Sequence, residues 1–474
     1  MPRLRVLFVV SECVPIVKTG GLGDVAGALP IELIKRGHDV RVVLPRYRST
    51  KSYPAERHPT PLVVGMGNGT ALAAAVWQAE LPGGVPVYLL EHDAFFDREG
   101  IYDDGKHAFS DNPLRFAFLS RAGLALGRHV GFEPEVVHVH DWPTSLVCVL
   151  SQLTHGPPTL LTIHNLGYQG HTGIDALPML GLNLEQALAL GVEHFGGLNL
   201  LKGGIRCATV LSTVSPRYAQ EVQTPEGGAG LDFELRGRAA DLVGILNGID
   251  ESVWDPQSDR DLVARYGPED LSGKAMCKDA LQRELGLAPA PRVPLVGLVS
   301  RFVEQKGIDV FAASLDRLLA QELQFAVLGS GDAWAEQRFE ELSLTAPNFR
   351  AHLGFNDQLA HRIEGGCDLF LMPSRYEPCG LSQMYSQRYG TLPIVRAVGG
   401  LRDTVEHEVD GFSFQTLVPG ELVSAVLHAT NVYRDQPDRF RDMQRLAMRK
   451  RMGWDRSAMH YDALYRLTIA RSKI

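Results

Sequence analysis

Continuous apolar runs alternate with helical patterns along the first half of the chain. The run Leu4–Val10 is rich in β-branched residues and uninterrupted, which is typical of a strand buried on both faces. A glycine loop follows it, and then a helical pattern over Asp24–Arg36 that Gly37 ends. Further strands are predicted at Val40–Leu44, Val85–Leu90, Val136–His140, Leu160–His164 and Ala208–Val214. This alternation predicts βαβ units and a parallel sheet.

The same alternation restarts in the second half. The apolar runs there predict strands at Val293–Ser300, Gln324–Leu328, Asp368–Pro373 and Leu392–Ala397. Helical patterns lie between them at Gly307–Leu319, Ala333–Leu342 and Leu381–Tyr389. The segment Leu246–Pro256 separates the two series and is rich in turn residues, so we predict the domain hinge there.

A chain of 474 residues is too long for one ordinary core, and the restart predicts two domains. We expect an α/β protein with two Rossmann-like, doubly wound domains that face a deep cleft. The predicted domains are residues 1–245 and 246–450, followed by a helical segment 451–474 that packs back toward the N-terminal domain. Ligands bind beyond the carboxyl ends of parallel strands, so both domains should present their sites to the cleft.

Composition narrows the class of protein. A formal net charge of −8 argues against a nucleic-acid partner held by bulk electrostatics. No apolar run approaches the roughly 20 residues that cross a bilayer, so no membrane partner is expected. Arg3 and Arg5 before Val6–Val10 imitate a signal peptide, but Glu12 follows at once, and we expect a first strand instead. The six scattered cysteines favour reduced thiols in a cytoplasmic protein.

The glycine loop after the first strand is a candidate phosphate site. Lys18 adds a positive charge, and Gly20, Gly21 and Asp24 lie where the helix begins, so backbone N–H groups could approach an anion closely. A plain strand–helix turn is the simpler interpretation. The spacing also fits a dinucleotide fold, but the second strand ends in Arg46 and lacks the acidic residue that holds a ribose.

Two loops of the second half carry candidate chemistry. Arg301 and Lys306 follow its first strand and could hold a diphosphate, although solvated loop charges are the alternative. Glu377 follows the strand at Asp368–Pro373, where a carboxylate could accept hydrogen bonds from sugar hydroxyls or merely mark a helix entry. The backbone N–H groups of Gly380 and Leu381 could cap an anion.

Polar residues also follow strands of the first half and the hinge. Asp141 ends one strand, His164 ends another and Asn247 lies in the hinge. The pattern His138-x-His140 suggests metal ligands, but no third cluster matches it, so no metal or other cofactor is expected. Asp259-Arg260-Asp261 has the DxD form of metal-dependent glycosyltransferases, but it follows no strand, and we interpret it as a surface loop.

These motifs resemble bacterial glycogen synthase, and plant starch synthases share them. The resemblance covers nearly the whole chain, in order, and rests on the following segments: KTGGLGDV (Lys18–Val25), HVHDW (His138–Trp142), TIHNLGYQG (Thr162–Gly170), LNGID and VWDP in the hinge, SRFVEQKG (Ser300–Gly307), PSRYEPCGLSQ (Pro373–Gln383), YGTLPIVRAVGGLRDTV (Tyr389–Val405) and DGFSF (Asp410–Phe414). It implies a GT-B fold, ADP-glucose as donor and elongation of an α-1,4-glucan such as glycogen with retention of configuration. One position departs from the wider clan, because Tyr385 stands where many members carry a second glutamate.

The resemblance also implies roles for individual residues. Arg301 and Lys306 would neutralise the diphosphate, and Glu377 would hold the transferred glucose. The implied catalytic set is Glu377, His164, Asp141, Arg301 and Lys306, and the implied donor-binding set is Lys18, Gly20, Gly21, Asp24, Asn165, Asn247, Cys379, Gly380 and Leu381. Three alternatives remain open at this stage: a GT-B transferase with another nucleotide or acceptor, a non-catalytic glucan- or nucleotide-binding protein, and a nicotinamide oxidoreductase.

Overall fold

A computed structural model describes residues 2–67, 69–105 and 107–473 of the protein. The chain forms two compact units, Met1–Asn247 with Trp454–Ile474, and Gly248–Gly453. The division falls inside the predicted hinge, and the chain returns to the first unit at Trp454.

The first unit is built on a large twisted sheet. Its strands are β1 (Arg5–Val9), β2 (Asp39–Pro45), β3 (Glu56–Arg57), β4 (Leu62–Gly65), β5 (Ala71–Leu81), β6 (Val85–Glu91), β7 (Val136–His140), β8 (Thr159–Ile163), β9 (His171–Gly173), β10 (Glu193–His194), β11 (Gly197–Asn199), β12 (Val210–Thr213) and β13 (Leu242–Gly244). The main sheet has the order β13-β12-β8-β7-β1-β2-β6-β5-β3, with β4 paired to β5, and β10-β11-β9 form a small separate sheet. Strands β13 through β6 of the main sheet run parallel.

Helices cover this sheet and connect its strands. They are Gly21–Lys35, Asp93–Phe96, Asn112–His129, Asp141–Thr144, Leu146–Thr154, Leu177–Leu180, Leu184–Ala189, Leu200–Cys207, Pro216–Glu221, Asp232–Gly237 and Trp454–Arg471, with 3-10 turns at Arg48–Thr50, Ile174–Ala176 and Ala239–Asp241. The helix Trp454–Arg471 packs against Gly21–Lys35 and contributes Trp454, Tyr461 and Tyr465 to the buried core around β1 and β2. The last helix is therefore part of the first unit.

One end of the first sheet differs from the parallel sheet that the sequence predicted. Strand β5 pairs antiparallel with β3, β4 and β6. Its residues alternate between buried and more exposed positions, because one face of an antiparallel edge can remain in water. The glycines of the Pro82–Gly84 turn let the chain reverse directly into β6, so no crossover helix is needed.

The second unit is a six-stranded parallel sheet between helices. Its strands are β14 (Leu295–Val299), β15 (Gln324–Gly329), β16 (Phe349–Leu353), β17 (Leu369–Met372), β18 (Leu392–Arg396) and β19 (Phe412–Phe414), in the order β16-β15-β14-β17-β18-β19. The helices are Ser272–Glu284, Ile308–Leu319, Ala333–Thr345, Asp357–Gly366, Ser382–Arg388, Gly399–Thr404, Pro419–Asp435 and Pro437–Met448, with a 3-10 turn at Glu304–Lys306. Counted along the chain, this is the 3-2-1-4-5-6 order of a doubly wound domain, which reverses between β14 and β17.

The latter part of the predicted hinge is anchored within the second unit. The ring of Trp254 lies between those of His361 and Tyr385, with centroid distances of 3.9 Å on both sides and interplanar angles of 6° and 9°. Arg388 donates a hydrogen bond of 2.8 Å to Asp255. Tyr385, which occupies the position of the second glutamate of related enzymes, is thus a packing partner of this segment.

The backbone at Gly307 controls where the Ile308–Leu319 helix begins. Gly307 has a φ of +69°, and a Cβ there would lie 1.9 Å from the carbonyl oxygen of Pro373 at the end of β17. The close approach brings the loop after β14 against the loop after β17. Only glycine satisfies both the positive φ and the contact.

Replacing Gly307 with alanine should therefore destabilise the protein. The left-handed backbone and the clash with Pro373 together should cost about 2 kcal/mol or more of unfolding free energy, as measured by urea denaturation. Gly420→Ala is the matched control, because a Cβ there meets nothing within 4 Å and alanine favours a helix. Equal stability of the two variants would contradict this account of Gly307.

Candidate active site

The predicted site residues of the first unit lie at one edge of its parallel sheet. The glycine loop follows β1, Asp141 follows β7, His164 follows β8 and Asn247 comes shortly after β13. These strands are parallel, so their carboxyl ends share an edge. The strand order reverses between β1 and β7, which is where doubly wound domains bind ligands.

A buried carboxylate that the sequence analysis overlooked holds the glycine loop in place. Oε2 of Glu12 accepts hydrogen bonds from the backbone N–H groups of Thr19 (2.6 Å) and Gly20 (3.0 Å). Oε1 accepts bonds from the hydroxyls of Thr19 (2.8 Å) and Tyr102 (2.7 Å). The N–H of Gly20 is therefore already bonded to Glu12, and the donor-binding role of Gly20 stays a prediction.

The start of the helix Gly21–Lys35 carries backbone N–H groups that have no acceptor within the helix. The N–H groups of Gly21 and Leu22 lie in the first turn, so no carbonyl of the same helix can accept a hydrogen bond from them. A Cβ at Gly20 or Gly21 would meet nothing within 4 Å, so a ligand can approach this backbone closely. Lys18 donates a hydrogen bond of 2.8 Å to Asp24, which holds the half-exposed ammonium beside the loop.

Asp141 has an unusual backbone and an unusual carboxyl group. Its φ of +52° lies in the left-handed region, which is strained for a non-glycine residue and is often found at functional sites. Its Oδ1 accepts the backbone N–H groups of His164 (2.7 Å) and Asn165 (3.3 Å). Burial raises the pKa of this carboxyl to about 7, because desolvation outweighs the two N–H donors that act in the opposite direction.

His164 is a neutral imidazole beside Asp141. Burial lowers its pKa to about 3, so the ring is uncharged near neutral pH. Its Nε2 lies 3.0 Å from Nδ1 of the fully buried His140. Asn247 is also buried, and among the described residues its Oδ1 has no hydrogen-bond partner. A buried acceptor without a partner is costly, and a ligand hydroxyl would satisfy it.

The second unit brings Lys306 and Glu377 together at the reversal between β14 and β17. Nζ of Lys306 donates a hydrogen bond of 2.5 Å to Oε2 of Glu377, and the hydroxyl of Ser374 donates to the same oxygen at 3.0 Å. Glu377 is only 5% exposed. A buried carboxylate requires such partners, and the ammonium retains further N–H donors for another anion.

The remaining predicted residues of this unit lie in the loops after β14 and β17. Arg301 follows β14 with an exposed side chain. The carbonyl of Cys379 accepts a hydrogen bond of 3.1 Å from Gln383, and Gly380 has a φ of +71° just before Leu381 and the Ser382–Arg388 helix. The N–H of Gly400 donates to the carbonyl of Glu377 at 3.1 Å, so the loop after β18 supports the loop after β17.

The DxD sequence does not form the surface loop that was expected. Asp259 is buried, and its Oδ2 accepts hydrogen bonds from Tyr389 (2.5 Å) and from His361 Nδ1 (2.7 Å). The sequence interpretation was wrong because both partners lie more than 100 residues away along the chain. Asp259 therefore connects the segment just after the predicted hinge to His361 and Tyr389 of the second unit.

Two groups in the described ranges have the spacing of metal ligands. They are His407, Glu408 and His428, and Asp259, Asp261 and His361. Neither group includes a predicted site residue. Glu408 already forms an ion pair with Arg439 at 2.6 Å, and both oxygens of Asp259 already accept hydrogen bonds.

A cavity of about 610 Å³ lies elsewhere in the first unit. Thr159, Ala208 and Thr209 line it, so it lies at the amino ends of β8 and β12, opposite the edge that carries His164. Arg238, which also lines it, donates to backbone carbonyls and to Asp241 through all three nitrogens. The size of this cavity therefore does not identify the active site.

Two doubly wound units in series, each with polar residues at its topological switch point, are the architecture of glycosyltransferases of the GT-B class, and the comparisons with known proteins show that class. Residues 5–237 match the profile of the starch synthase catalytic domain, and residues 293–431 match that of glycosyl transferases group 1. The solved structure of the catalytic domain of starch synthase IV from Arabidopsis thaliana aligns with a TM-score of 0.91 at 32% identity, over 99% of this chain and 100% of that one. Sucrose-phosphate synthase from Thermosynechococcus elongatus shares the fold alone, with a TM-score of 0.61 at 17% identity over 99% of this chain and 100% of that one.

Curated relatives narrow the class to a family. Glycogen synthase 1 of Geobacter metallireducens is 46% identical over 98% of this chain and 96% of its own length. Glycogen synthase of Anaeromyxobacter sp. (strain Fw109-5) is 48% identical over 98% and 99%. The chain belongs to the glycogen synthase family and is a glucosyltransferase of glycogen synthesis that uses a nucleotide-sugar donor and a glucan acceptor. The oxidoreductase alternative is therefore wrong. Across the described residues, every helix is too short or too polar to span a membrane.

The raised pKa of Asp141 predicts a pH-dependent contribution to stability. The folded protein holds this proton up to about pH 7, whereas an unfolded aspartate loses it near pH 4. The contribution is therefore fully present below about pH 4 and is lost as the pH rises through about 7. Asp141→Asn cannot ionise, so its stability relative to the wild type should increase between pH 5 and 8, as measured by urea denaturation. A difference that stays constant over this range would contradict the assigned pKa.

Proposed function

We propose that the enzyme transfers glucose from ADP-glucose to the non-reducing end of an α-1,4-glucan, with retention of configuration and without a metal ion. The observation that carries the proposal is the ion pair between partly exposed Lys306 and buried Glu377 at the switch point of the second unit. The structure of starch synthase IV that resembles this chain was solved with ADP and acarbose, which supports an adenine nucleotide donor and a glucan acceptor.

The second unit supplies the charges that the leaving group requires. Breaking the bond between the anomeric carbon and the phosphate oxygen leaves negative charge on the diphosphate. Lys306 and Arg301 follow the same strand end and stabilise this charge as it develops, which is the task that a metal ion performs in other transferases. Glu377 holds the ammonium of Lys306 in place and accepts hydrogen bonds from the donor glucose.

The first unit supplies neutral polar groups for the sugars. His164 is uncharged, and Asn247 presents a buried acceptor without a partner among the described residues. Lys18 and the first-turn N–H groups after Gly20 favour the anionic part of the donor. The expectation that the two half-sites face each other across a cleft stays a prediction.

We propose attack from the face that the leaving group vacates. The acceptor hydroxyl oxygen forms the new bond to the anomeric carbon, its proton passes to an oxygen of the departing diphosphate, and ADP leaves. One oxygen of Glu377 is already bonded to Lys306 and Ser374, which suits a carboxylate that positions groups and not one that attacks carbon. Trapping a glucosyl adduct on Glu377 would disprove this mechanism.

Lys306→Ala should lower kcat strongly at saturating donor. The lost charge stabilises the transition state, so the expected cost is roughly 2.7–4 kcal/mol by analogy with the deletion of oxyanion donors. Lys35→Ala is a matched control, because Lys35 is an exposed lysine whose one ion pair among the described residues is with Glu32 on its own helix. A variant that raises KM but keeps kcat would show that Lys306 binds the ground state and the transition state equally well.

The donor and the metal requirement are tested in one assay. Purified enzyme should transfer radiolabelled glucose from ADP-glucose to glycogen, and EDTA should leave the rate unchanged, because side chains supply the positive charge. The same assay with UDP-glucose as donor tests nucleotide specificity: faster transfer from UDP-glucose would indicate a transferase that uses a different nucleotide. Loss of activity on chelation and its return with Mn²⁺ would contradict the metal-independent mechanism, and donor binding without transfer would indicate a non-catalytic protein.

A further inference from the structure

A buried histidine lies directly behind His164. His140 is the last residue of β7, has no exposed surface and directs Nδ1 to Nε2 of His164 at 3.0 Å. Its ring packs against that of His138, at a centroid distance of 4.1 Å, and against that of Phe8, at 5.5 Å. Packing therefore holds the plane of the ring, and within the described part of the chain the ring has one hydrogen-bonding neighbour, His164.

The neighbouring hydrogen bonds have a definite direction. The hydroxyl of Tyr465 is 2.9 Å from Nδ1 of His138, and Nε2 of His138 is 2.6 Å from the hydroxyl of Thr162. Thr162 is in turn 2.6 Å from Ser212. A buried tyrosine hydroxyl has to donate, so Tyr465 donates to His138, His138 to Thr162 and Thr162 to Ser212. Both nitrogens of His138 are thereby used, and His138 only stacks on His140.

The proton of His140 has two possible positions. Burial lowers the pKa of both His140 and His164, so each ring carries one N–H. If Nε2 of His140 held the proton, a buried donor would have no acceptor, since that atom has no partner among the described residues. If Nδ1 of His140 holds the proton, His140 donates to His164. The atom without a partner among the described residues is then the unprotonated Nε2 of His140, which is an acceptor. Buried N–H groups without partners are the rarer and costlier case.

We propose that His140 is a positioning residue that donates its Nδ1 proton to Nε2 of His164. This bond fixes His164 as the Nδ1–H tautomer, and Nδ1 of His164 has no partner among the described residues. The imidazole of His164 then acts as a hydrogen-bond donor to a sugar oxygen, whereas the opposite tautomer could only accept. The inference deepens the proposed function, because it assigns the direction of a contact in the same site.

The tautomer can be observed without any substrate. In protein labelled with ¹⁵N-histidine, the ring nitrogen shifts of His164 should show a protonated Nδ1 and a bare Nε2, with a coupling across the hydrogen bond to Nδ1 of His140. His164→Asn assigns the signals. A protonated Nε2 on His164 in the wild type would overturn the proposal, whether or not the enzyme uses ADP-glucose.

Two substitutions at His140 separate its hydrogen bond from its volume. The amide nitrogen of His140→Asn replaces Nδ1 as a donor, so this variant should keep the tautomer of His164 and most of kcat/KM. His140→Phe fills the space without a donor, so kcat/KM should fall about tenfold, the effect of one hydrogen bond. Unchanged tautomer and activity in His140→Phe would also overturn the proposal.

Tyr465→Phe is the matched control. It removes the hydrogen bond to His138, which is equally buried but not connected to His164. It should lower the melting temperature and leave both the tautomer of His164 and kcat/KM unchanged. If His140→Phe fails to fold, the wild-type spectrum and the His140→Asn variant still decide the question. A wild type that transfers no glucose but shows the expected tautomer would refute the proposed function and not the hydrogen bond.

Discussion

The ion pair between Lys306 and Glu377 is the interaction on which the proposed active site depends. A carboxylate that is 5% exposed needs hydrogen-bonding partners in place of water, and Lys306 and Ser374 provide them. The pair exists because Gly307 lets two loops approach closely, which places an ammonium and a carboxylate at one switch point. The resting protein thereby holds a partly buried ammonium where a diphosphate is expected to leave.

Both units use the same geometric rule with different chemistry. Parallel strands end at a shared edge, and the reversal of strand order opens a crevice there. The second unit fills this edge with charged groups that suit a phosphate. The first unit places a neutral histidine, a carboxyl with a raised pKa and a buried amide at its edge, which suit uncharged sugar hydroxyls. A transferase of this kind needs both environments, because its donor consists of an anionic diphosphate and an uncharged sugar.

The sequence predicted whatever depends on local pattern, and missed whatever depends on distant partners. Runs such as Leu4–Val10 identified the buried parallel strands, and family motifs identified residues at their ends. The antiparallel strand β5 was missed because its one-sided burial gives a weaker pattern. The role of Glu12 depends on Tyr102, and that of Asp259 on His361 and Tyr389, so neither could be derived from spacing. The direction of the His140–His164 bond required the packing around both rings.

The most direct test of the central claim is the binding of ADP to Lys306→Ala and to Lys306→Ala/Glu377→Gln, measured by calorimetry. Removing the ammonium alone leaves Glu377 as an uncompensated buried carboxylate beside the expected diphosphate, so affinity should fall sharply. Neutralising that carboxylate as well should restore part of the affinity. The contrary result is that Glu377→Gln weakens ADP binding by the same factor in the Lys306→Ala background as it does alone. The two side chains would then act independently, which contradicts the central role of the pair.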